Sequence, residues 1–410
     1  MSGVVTFEKA CEAVQEYSRG VRPPQSEPVA IAEAAGRVLA EAIVADRDFP
    51  PFPRATRDGF AVRAADLKTV PALLRVTGQV KAGATWDDKI EPGEALEIMT
   101  GAAVPSGADA VVMVEYTQLK GGQVEIQRAV ALGENIVPQG SETSASQEML
   151  PAGTRLGFAQ IAVAAAVGRA TLAVYRKPRV AILATGDELV DVTAKPGLHQ
   201  IRNSNTYSLS AQVLLAGGQP ARLPVAPDEK LALTELIRQG LSTDLLLLSG
   251  GVSMGQFDLV EEVLASLDAT FFFAGAEIQP GRPVVFGQAA SAKRGSPVPF
   301  FGLPGNPVST MVTFDLFVRP MLDALSGALP VRLPGVKARL AKEIKTKTGL
   351  TRFLPAILRG GLQDPEVEVI PWQGSGDVLA SARANCYAVT SPDRDHIAAG
   401  EMISVLLRLS

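Results

Sequence analysis

The sequence predicts a chain of mixed class: a doubly wound α/β domain joined to domains built mostly from short β-strands. Three observations carry that prediction. Strand-like runs alternate with helical runs of about 10–15 residues between positions 179 and 325, the pattern of a largely parallel sheet covered by helices. Before and after that region, short strands follow one another across turns with few helices between them. Finally, 38 Gly and 29 Pro in 410 residues supply many tight turns, while 47% hydrophobic residues are ample for packed cores. At roughly 100–200 residues per domain, the length predicts two to four domains.

The elements follow in order. Phe7, Ala10, Cys11, Val14 and Tyr17 recur at helical spacing behind Thr6, a candidate N-cap, and Arg22-Pro-Pro-Gln breaks that helix. Residues 28–45 read as a short strand, a turn at Gly36-Arg37 and a second extended piece. Phe49-Pro-Pro-Phe-Pro53 reads as a stiff linker, because each Pro fixes φ and removes a donor. Strands are expected at 73–76, 94–99, 110–114 and 124–126, which makes 59–136 a mostly β region. The Gly/Ser/Pro-rich 137–157 crosses back, and the Ala-rich 158–168 reads as a packed helix. Strands are then expected at 179–185, 222–225, 244–249, 270–273, 284–286 and 299–303. Helices are expected at 204–215, 228–239, 257–267 and, as one long element, 307–325. Residues from about 330 to 410 return to short strands and form a small β domain.

Scarce residue types exclude several functions. Cys11 and Cys386 cannot build a disulfide framework or a zinc ribbon. His199 and His396 stand without HxxxH or HExxH spacing, and no Ser/His/Asp or Cys/His set can be assembled. A bound metal must therefore be held by oxygen, which points to a hard cation such as Mg²⁺. The formal charge of -4 disfavours a broad nucleic-acid surface. The longest apolar run, 161–167, is far short of the ~20 residues that span a bilayer. The N-terminus has no basic region followed by an apolar stretch, so no signal peptide is expected. A soluble, reduced, cytoplasmic protein is the expectation.

Ligands of open α/β sheets bind outside the carboxyl ends of the strands. Four polar clusters fall at such ends. Thr185-Gly186-Asp187-Glu188 offers a tight turn and two acids, although a solvated helix start would look the same. Pro227-Asp228-Glu229 has a plain explanation in which Asp228 is a helix N-cap. Ser249-Gly250-Gly251-Val-Ser253-Met-Gly-Gln-Phe-Asp258 carries three glycines within six residues, more than a turn requires, and can present backbone N–H groups to an anion. It is neither GxGxxG nor a P-loop. Leu303-Pro304-Gly305-Asn306-Pro307 sets Asn306 as a cap and Pro307 as the first helical residue, leaving the preceding Pro-Gly unexplained by capping. Elsewhere, Arg57-Asp58-Gly59-Phe60 follows the linker, and Thr100 stands in a Gly-bearing loop that ends at Asp109. A cleft of backbone donors and carboxylates with no thiolate or imidazole suits a phosphorylated or oxyanion substrate handled with Mg²⁺.

Together these motifs resemble one family. Asp58-Gly-Phe-Ala-Val62, Thr100-Gly-Ala with Pro105-x-Gly-Ala-Asp-Ala-Val-Val112, Thr185-Gly-Asp-Glu-Leu189, Ser249-Gly-Gly-Val-Ser253 with Asp258, and Leu303-Pro-Gly-Asn-Pro-Val-Ser309 occur in the order and spacing of the molybdopterin molybdenumtransferases, bacterial MoeA and the E domain of gephyrin. The resemblance implies an elongated four-domain subunit. In it, 27–46 and 147–176 form an elongated dimer-forming domain, and 54–140 a mostly β domain. Residues 7–26 and 177–327 form the α/β molybdopterin-binding domain, and 328–410 the C-terminal β domain. It also implies a homodimer with its cleft between the α/β domain of one subunit and the β domain of the other.

The implied activity is the last step of molybdenum cofactor synthesis. Adenylylated molybdopterin and molybdate are the substrates, AMP leaves in a Mg²⁺-dependent step, and molybdenum is inserted at the dithiolene. An adenylyltransferase upstream and apo-molybdoenzymes downstream are the implied partners. By the same resemblance, Glu188, Asp228 and Asp258 are candidates for Mg²⁺ and catalysis. Ser249, Gly250, Gly251 and Ser253 form a phosphate cradle, with Thr185 and Gly186 beside it and Pro304, Gly305 and Asn306 flanking it. Asp58 (catalytic) and Thr100 come from the partner subunit, and Arg282 binds substrate.

Two departures stand out. Asn135-Ile-Val-Pro138 lacks both arginines of the family's Asn-Ile-Arg-Arg, and Gln279-Pro-Gly-Arg282-Pro replaces Lys-Pro-Gly-Lys-Pro. Arginine is the natural bidentate partner of phosphate, so these losses leave open a non-catalytic scaffold or a tungstate-handling relative. A related adenylyltransferase is the remaining alternative, but it would need only the α/β unit.

Overall fold

The computed structural model describes residues 3–251, 259–330, 333–361 and 363–408. The chain forms two compact units. One comprises Met1–Ala40, Gly153–Gly157 and Thr171–Ser410, and the other Glu41–Ala152 with Phe158–Ala170.

The centre of the first unit is a six-stranded sheet. In spatial order its strands are Gln219–Arg222, Arg179–Ala184, Leu245–Ser249, Val298–Leu303, Val285–Ala289 and Thr270–Ala274. The first four pair parallel, and the last two join antiparallel. Leu245, Leu246, Leu247 and Leu248 have no exposed surface, as a strand covered on both faces requires. Burying each stabilises the fold by roughly 2 kcal/mol.

One face of this sheet carries a core shared with the helices Phe7–Arg19 and Asn205–Leu215 and with the 307–325 segment. The other face packs the helices Lys230–Gly240 and Leu259–Ser266. The sheet is thus doubly wound, as the alternation predicts. Thr6 caps the first helix by accepting from the Lys9 N–H at 3.3 Å. Of the helix expected at 257–267, the first residues lie outside those described.

The expected long helix at 307–325 is interrupted. Pro307–Thr313 and Arg319–Leu325 are α-helical, but Phe314–Val318 between them forms a π turn. Pro320 accounts for this. It has no N–H to give, and its ring would clash with the carbonyl four residues earlier, so the ladder widens there.

The C-terminal strands of this unit close on themselves. Thr351–Arg359 pairs with both Glu366–Val369 and Cys386–Thr390, and Gly335–Leu340 and Met402–Leu407 complete the ring. The short strand Ile278–Gln279 adds to Thr351–Arg359 in parallel. This last pairing ties the loop before Pro283 to the barrel.

The second unit contains a six-stranded sheet in the order Ala110–Met113, Gly59–Val62, Glu94–Ile98, Ala72–Val80, Gln123–Ile126, Thr117–Lys120. Gly59 is indispensable to it, because a Cβ there would sit 1.8 Å from the Val112 carbonyl oxygen. The strand Arg54–Ala55 pairs with Ile136–Val137, which sets Arg54 directly opposite Val137. The helix Phe158–Ala166 forms as expected but is not packed all round: it buries Ala164 and leaves Phe158 93% exposed. Alternation of small apolar residues predicts a helix, but burial depends on what the rest of the unit lays against it. Among the described residues no helix is long and apolar enough to cross a membrane, and Cys11 and Cys386 are unpaired.

Candidate functional site

Strand ends of the first unit surround a cavity of about 540 Å³. Thr185, Gly186 and Glu188 follow the Arg179–Ala184 strand. Ser249, Gly250 and Gly251 follow Leu245–Ser249, and Pro304, Gly305 and Asn306 follow Val298–Leu303. Asp228 stands ahead of the Lys230–Gly240 helix, and all ten residues line the one cavity. Sequence reasoning placed each at a strand end, and the parallel register brings those ends side by side: Ala184 lies opposite Ser249, and Ser249 opposite Leu303. Ser253 and Asp258 lie outside the described residues.

Backbone geometry explains the glycines. Gly250 and Gly251 adopt φ of 87° and 62°. A Cβ on Gly250 would lie 2.8 Å from the Thr185 carbonyl oxygen, and one on Gly251 would lie 2.6 Å from the Thr185 hydroxyl. Only glycine lets the two loops approach this closely. Gly186 is confined in the same way, because the Glu188 carboxylate folds back over it with an oxygen 2.4 Å from where its Cβ would be.

The plain capping explanations fail for two residues. The N-cap of the Lys230–Gly240 helix is Glu229, so Asp228 is not the cap. Asn306 does occupy the N-cap position before Pro307, but its side chain makes no capping hydrogen bond. Both side chains remain available to the cavity. The Asp228 carboxyl is held above its ordinary value, first by burial and then by the charges of Asp187 and Glu188. Negative charge is therefore concentrated at this wall. Among the described residues, no three His, Cys, Asp or Glu side chains form a ready-made metal cage. Mg²⁺ typically takes one or two carboxylates and completes its shell with water and substrate phosphates. Glu188 and Asp228 are the two carboxylates on the cavity's described lining.

One wall escaped sequence reasoning. Ile201, Arg202, Asn203, Ser204 and Asn205 line the cavity between the short strand Ile201–Arg202 and the Asn205–Leu215 helix. The Asn205 side-chain amide donates to the Ser249 hydroxyl at 2.9 Å and to the Gly305 carbonyl at 2.7 Å. Its own Oδ1 is shielded from solvent without a partner. An Asn-Ser-Asn run directly before a helix reads as a cap; only the fold shows that Asn205 joins two loops.

Arg282 is not on this wall. It lines a second cavity of about 320 Å³ with Gln279, Ser309, Trp372 and Ser375, and this cavity shares Pro283, Pro304 and Asn306 with the first. Gln279 accepts a hydrogen bond from Arg352 Nε at 2.8 Å. Arg352 is 6% exposed and has no acidic partner among the described residues, and burial holds its guanidinium below the usual value. A lysine at 279 could not accept this bond, so the glutamine exchanges a charge for a tie to Arg352.

In the second unit, Asp58 and Thr100 meet. Asp58 Oδ1 accepts from the Thr100 backbone N–H at 2.6 Å and from its hydroxyl at 2.7 Å. These two bonds hold the Asp58 carboxyl below its ordinary value. The Thr100 hydroxyl is thus committed to Asp58. The Arg54 guanidinium pairs with Glu142 at 3.0 Å, on the ribbon where the family's arginines at 137 and 138 are missing.

Comparison with known proteins identifies the family. Residues 5–168 match the MoeA N-terminal region (domains I and II), 181–324 a probable molybdopterin binding domain, and 337–407 the MoeA C-terminal region (domain IV). A molybdopterin molybdenumtransferase of a Nostoc species is 35% identical, over 91% of this chain and 86% of its own. That of Bacillus subtilis is 33% identical, over 97% and 93%. A crystal structure of the molybdopterin biosynthesis MoeA protein of Pyrococcus horikoshii superposes with a TM-score of 0.78 at 29% identity, covering 99% of this chain and 100% of that one. Three family models in succession, and relatives matched along nine-tenths of the chain, place this protein in the MoeA family of molybdopterin molybdenumtransferases.

Proposed function

We propose that the protein is a transferase of molybdenum cofactor biosynthesis that takes adenylylated molybdopterin and molybdate, releases AMP and leaves molybdenum on the dithiolene. The observation that carries this reading is the strand-end cavity, which Glu188 and Asp228 line together with Ser249–Gly251 and Pro304–Asn306. The glycine-bearing loops bring backbone close to the phosphate oxygens, the Gly250 N–H being held by the Leu303 carbonyl at 3.2 Å, and Asn205 keeps the two loops at fixed spacing. Mg²⁺, when bound by Glu188 and Asp228, supplies positive charge to the phosphate oxygens. The proline-rimmed second cavity, with Arg282 and two serines on its wall, suits a tetrahedral oxyanion of molybdate's size. Molybdenum is cargo that passes to the sulfurs of the pterin, so the protein needs no thiol or imidazole ligand of its own.

The reading includes a homodimer in the cytoplasm. The Phe158–Ala166 helix has no charged residue and leaves Phe158 exposed, a surface that a second copy would cover. A reducing compartment suits the two free thiols. Light scattering on the purified chain should give the dimer mass, and Phe158→Asp should shift it toward monomer; a monomeric wild type would remove the dimer. For the activity, purified protein supplied with adenylylated molybdopterin, molybdate and Mg²⁺ should release AMP. A folded protein that releases none would be a scaffold instead.

A further inference from the structure

We propose that Arg202 is the phosphate-binding cation of the strand-end cavity, holding the nucleotide phosphate of the substrate. This rests on the reading above and deepens it, because neither the sequence motifs nor the comparisons assign this residue a role.

The charge inventory of the cavity sets the problem. Among its described lining residues the charged side chains are Glu188, Asp228 and Arg202. A phosphoanhydride-linked nucleotide entering this space meets two carboxylates. Its phosphates need positive charge from the wall as well as from any cation, and Arg202 is the lining residue that supplies it.

The position of Arg202 is fixed by its surroundings. The Ile201–Arg202 strand pairs in parallel with Leu189–Val190, with Val190 opposite Arg202. The Ile201 N–H donates to the Glu188 carbonyl at 2.9 Å, and the Asn203 N–H to the Val190 carbonyl at 2.9 Å. The backbone bearing the cation is therefore stitched to the segment bearing Glu188. Three residues later, Asn205 ties the same segment to Ser249 and Gly305.

The guanidinium is half anchored. Its Nε donates to the Ala194 carbonyl at 3.1 Å, and neither Nη has a protein partner among the described residues. Five other arginines of this unit are committed. Arg176 and Arg294 hold Asp244, Arg155 holds Asp323, Arg37 holds Glu27, and Arg222 lies 4.0 Å over the Tyr207 ring. Arg202 has no acidic partner among the described residues. An arginine with its Nε fixed and its terminal nitrogens uncommitted presents a bidentate fork suited to phosphate oxygens.

Titration calorimetry with AMP, inorganic pyrophosphate and adenosine tests this on the full-length protein. Arg202→Ala should weaken AMP and pyrophosphate binding by about 10- to 100-fold, while Arg202→Lys, which keeps the charge and loses the fork, falls between. Adenosine has no phosphate, so its binding should be the same in all three proteins. The loss should shrink as salt is raised. Arg222→Ala, an exposed arginine of the neighbouring strand outside the cavity lining, should bind AMP like the wild type. Equal AMP affinity in wild type and Arg202→Ala overturns the role of Arg202 and leaves the proposed function standing. A wild type that binds neither AMP nor pyrophosphate overturns both.

Discussion

Asn205 holds Ser249 through a 2.9 Å hydrogen bond from its side-chain amide to the serine hydroxyl, and the same nitrogen donates to the Gly305 carbonyl at 2.7 Å. One side chain thus sets the spacing of two loops that approach the substrate. Asn205→Ala should lower kcat/KM for AMP release about tenfold or more, with a stability loss of about 1–2 kcal/mol. Steady-state kinetics and urea melts on the same samples check this; a fall in stability with unchanged kinetics would reduce Asn205 to a structural tie.

Asp228 carries the opposite signature. Its carboxyl is raised by burial and by repulsion from Asp187 and Glu188, so the fold gains nothing from its charge. Asp228→Ala should cut AMP release by about 100-fold or more while leaving Tm unchanged or higher. A normal turnover rate in this variant would remove Asp228 from the site.

The Asp58–Thr100 pair yields a local test. Both bonds from Thr100 favour the charged carboxylate, one from the backbone and one from the hydroxyl. Thr100→Val keeps the first and deletes the second. The Asp58 carboxyl should then titrate closer to the ordinary carboxylate range, and Thr100→Ser should restore the low value. Carbon-detected NMR titration reads both; an Asp58 titration indifferent to residue 100 would contradict the pairing.

Asp244 predicts a pH dependence of stability. It is 6% exposed, and burial alone would raise its carboxyl, but hydrogen bonds from Arg176 and the Arg179 N–H, with the Arg294 charge, outweigh that and lower it. A carboxyl depressed in the folded state stabilises at pH above its unfolded value of about 4, and the gain is lost as pH falls through the folded value. Asp244→Asn should therefore cost about 3 kcal/mol at pH 7, where it strands two arginines. The gap to the wild type should narrow below about pH 4. Urea melts at pH 7 and pH 3.5 decide, and a gap that does not narrow would mean the pair contributes through packing.

Much of the fold was legible because its signals are local. Buried leucine runs, helix-length spacings and Gly-rich turns each lie within a dozen residues, and they marked the α/β alternation and its strand-end clusters. The π turn at Phe314–Val318 had its cue in Pro320, although apolar periodicity alone ran through it. The Phe158–Ala166 helix was equally legible as a helix, but its exposure was not, because burial is a property of neighbours.

The sequence by itself determined which residues stand at the ends of parallel strands, and that their chemistry is oxygen and backbone N–H rather than thiolate or imidazole. Tertiary structure alone decided which of them share a cavity. It joined Asn205 to Ser249 and to Gly305, 44 and 100 residues away, paired Gln279 with Arg352 across 73, and set Arg202 opposite Val190 on the wall that also carries Glu188. The physical reason is the same in each case. Backbone preference and hydrophobic period act over a few residues, whereas a side-chain contact between distant segments exists only once sheet register and core packing have fixed where those segments lie.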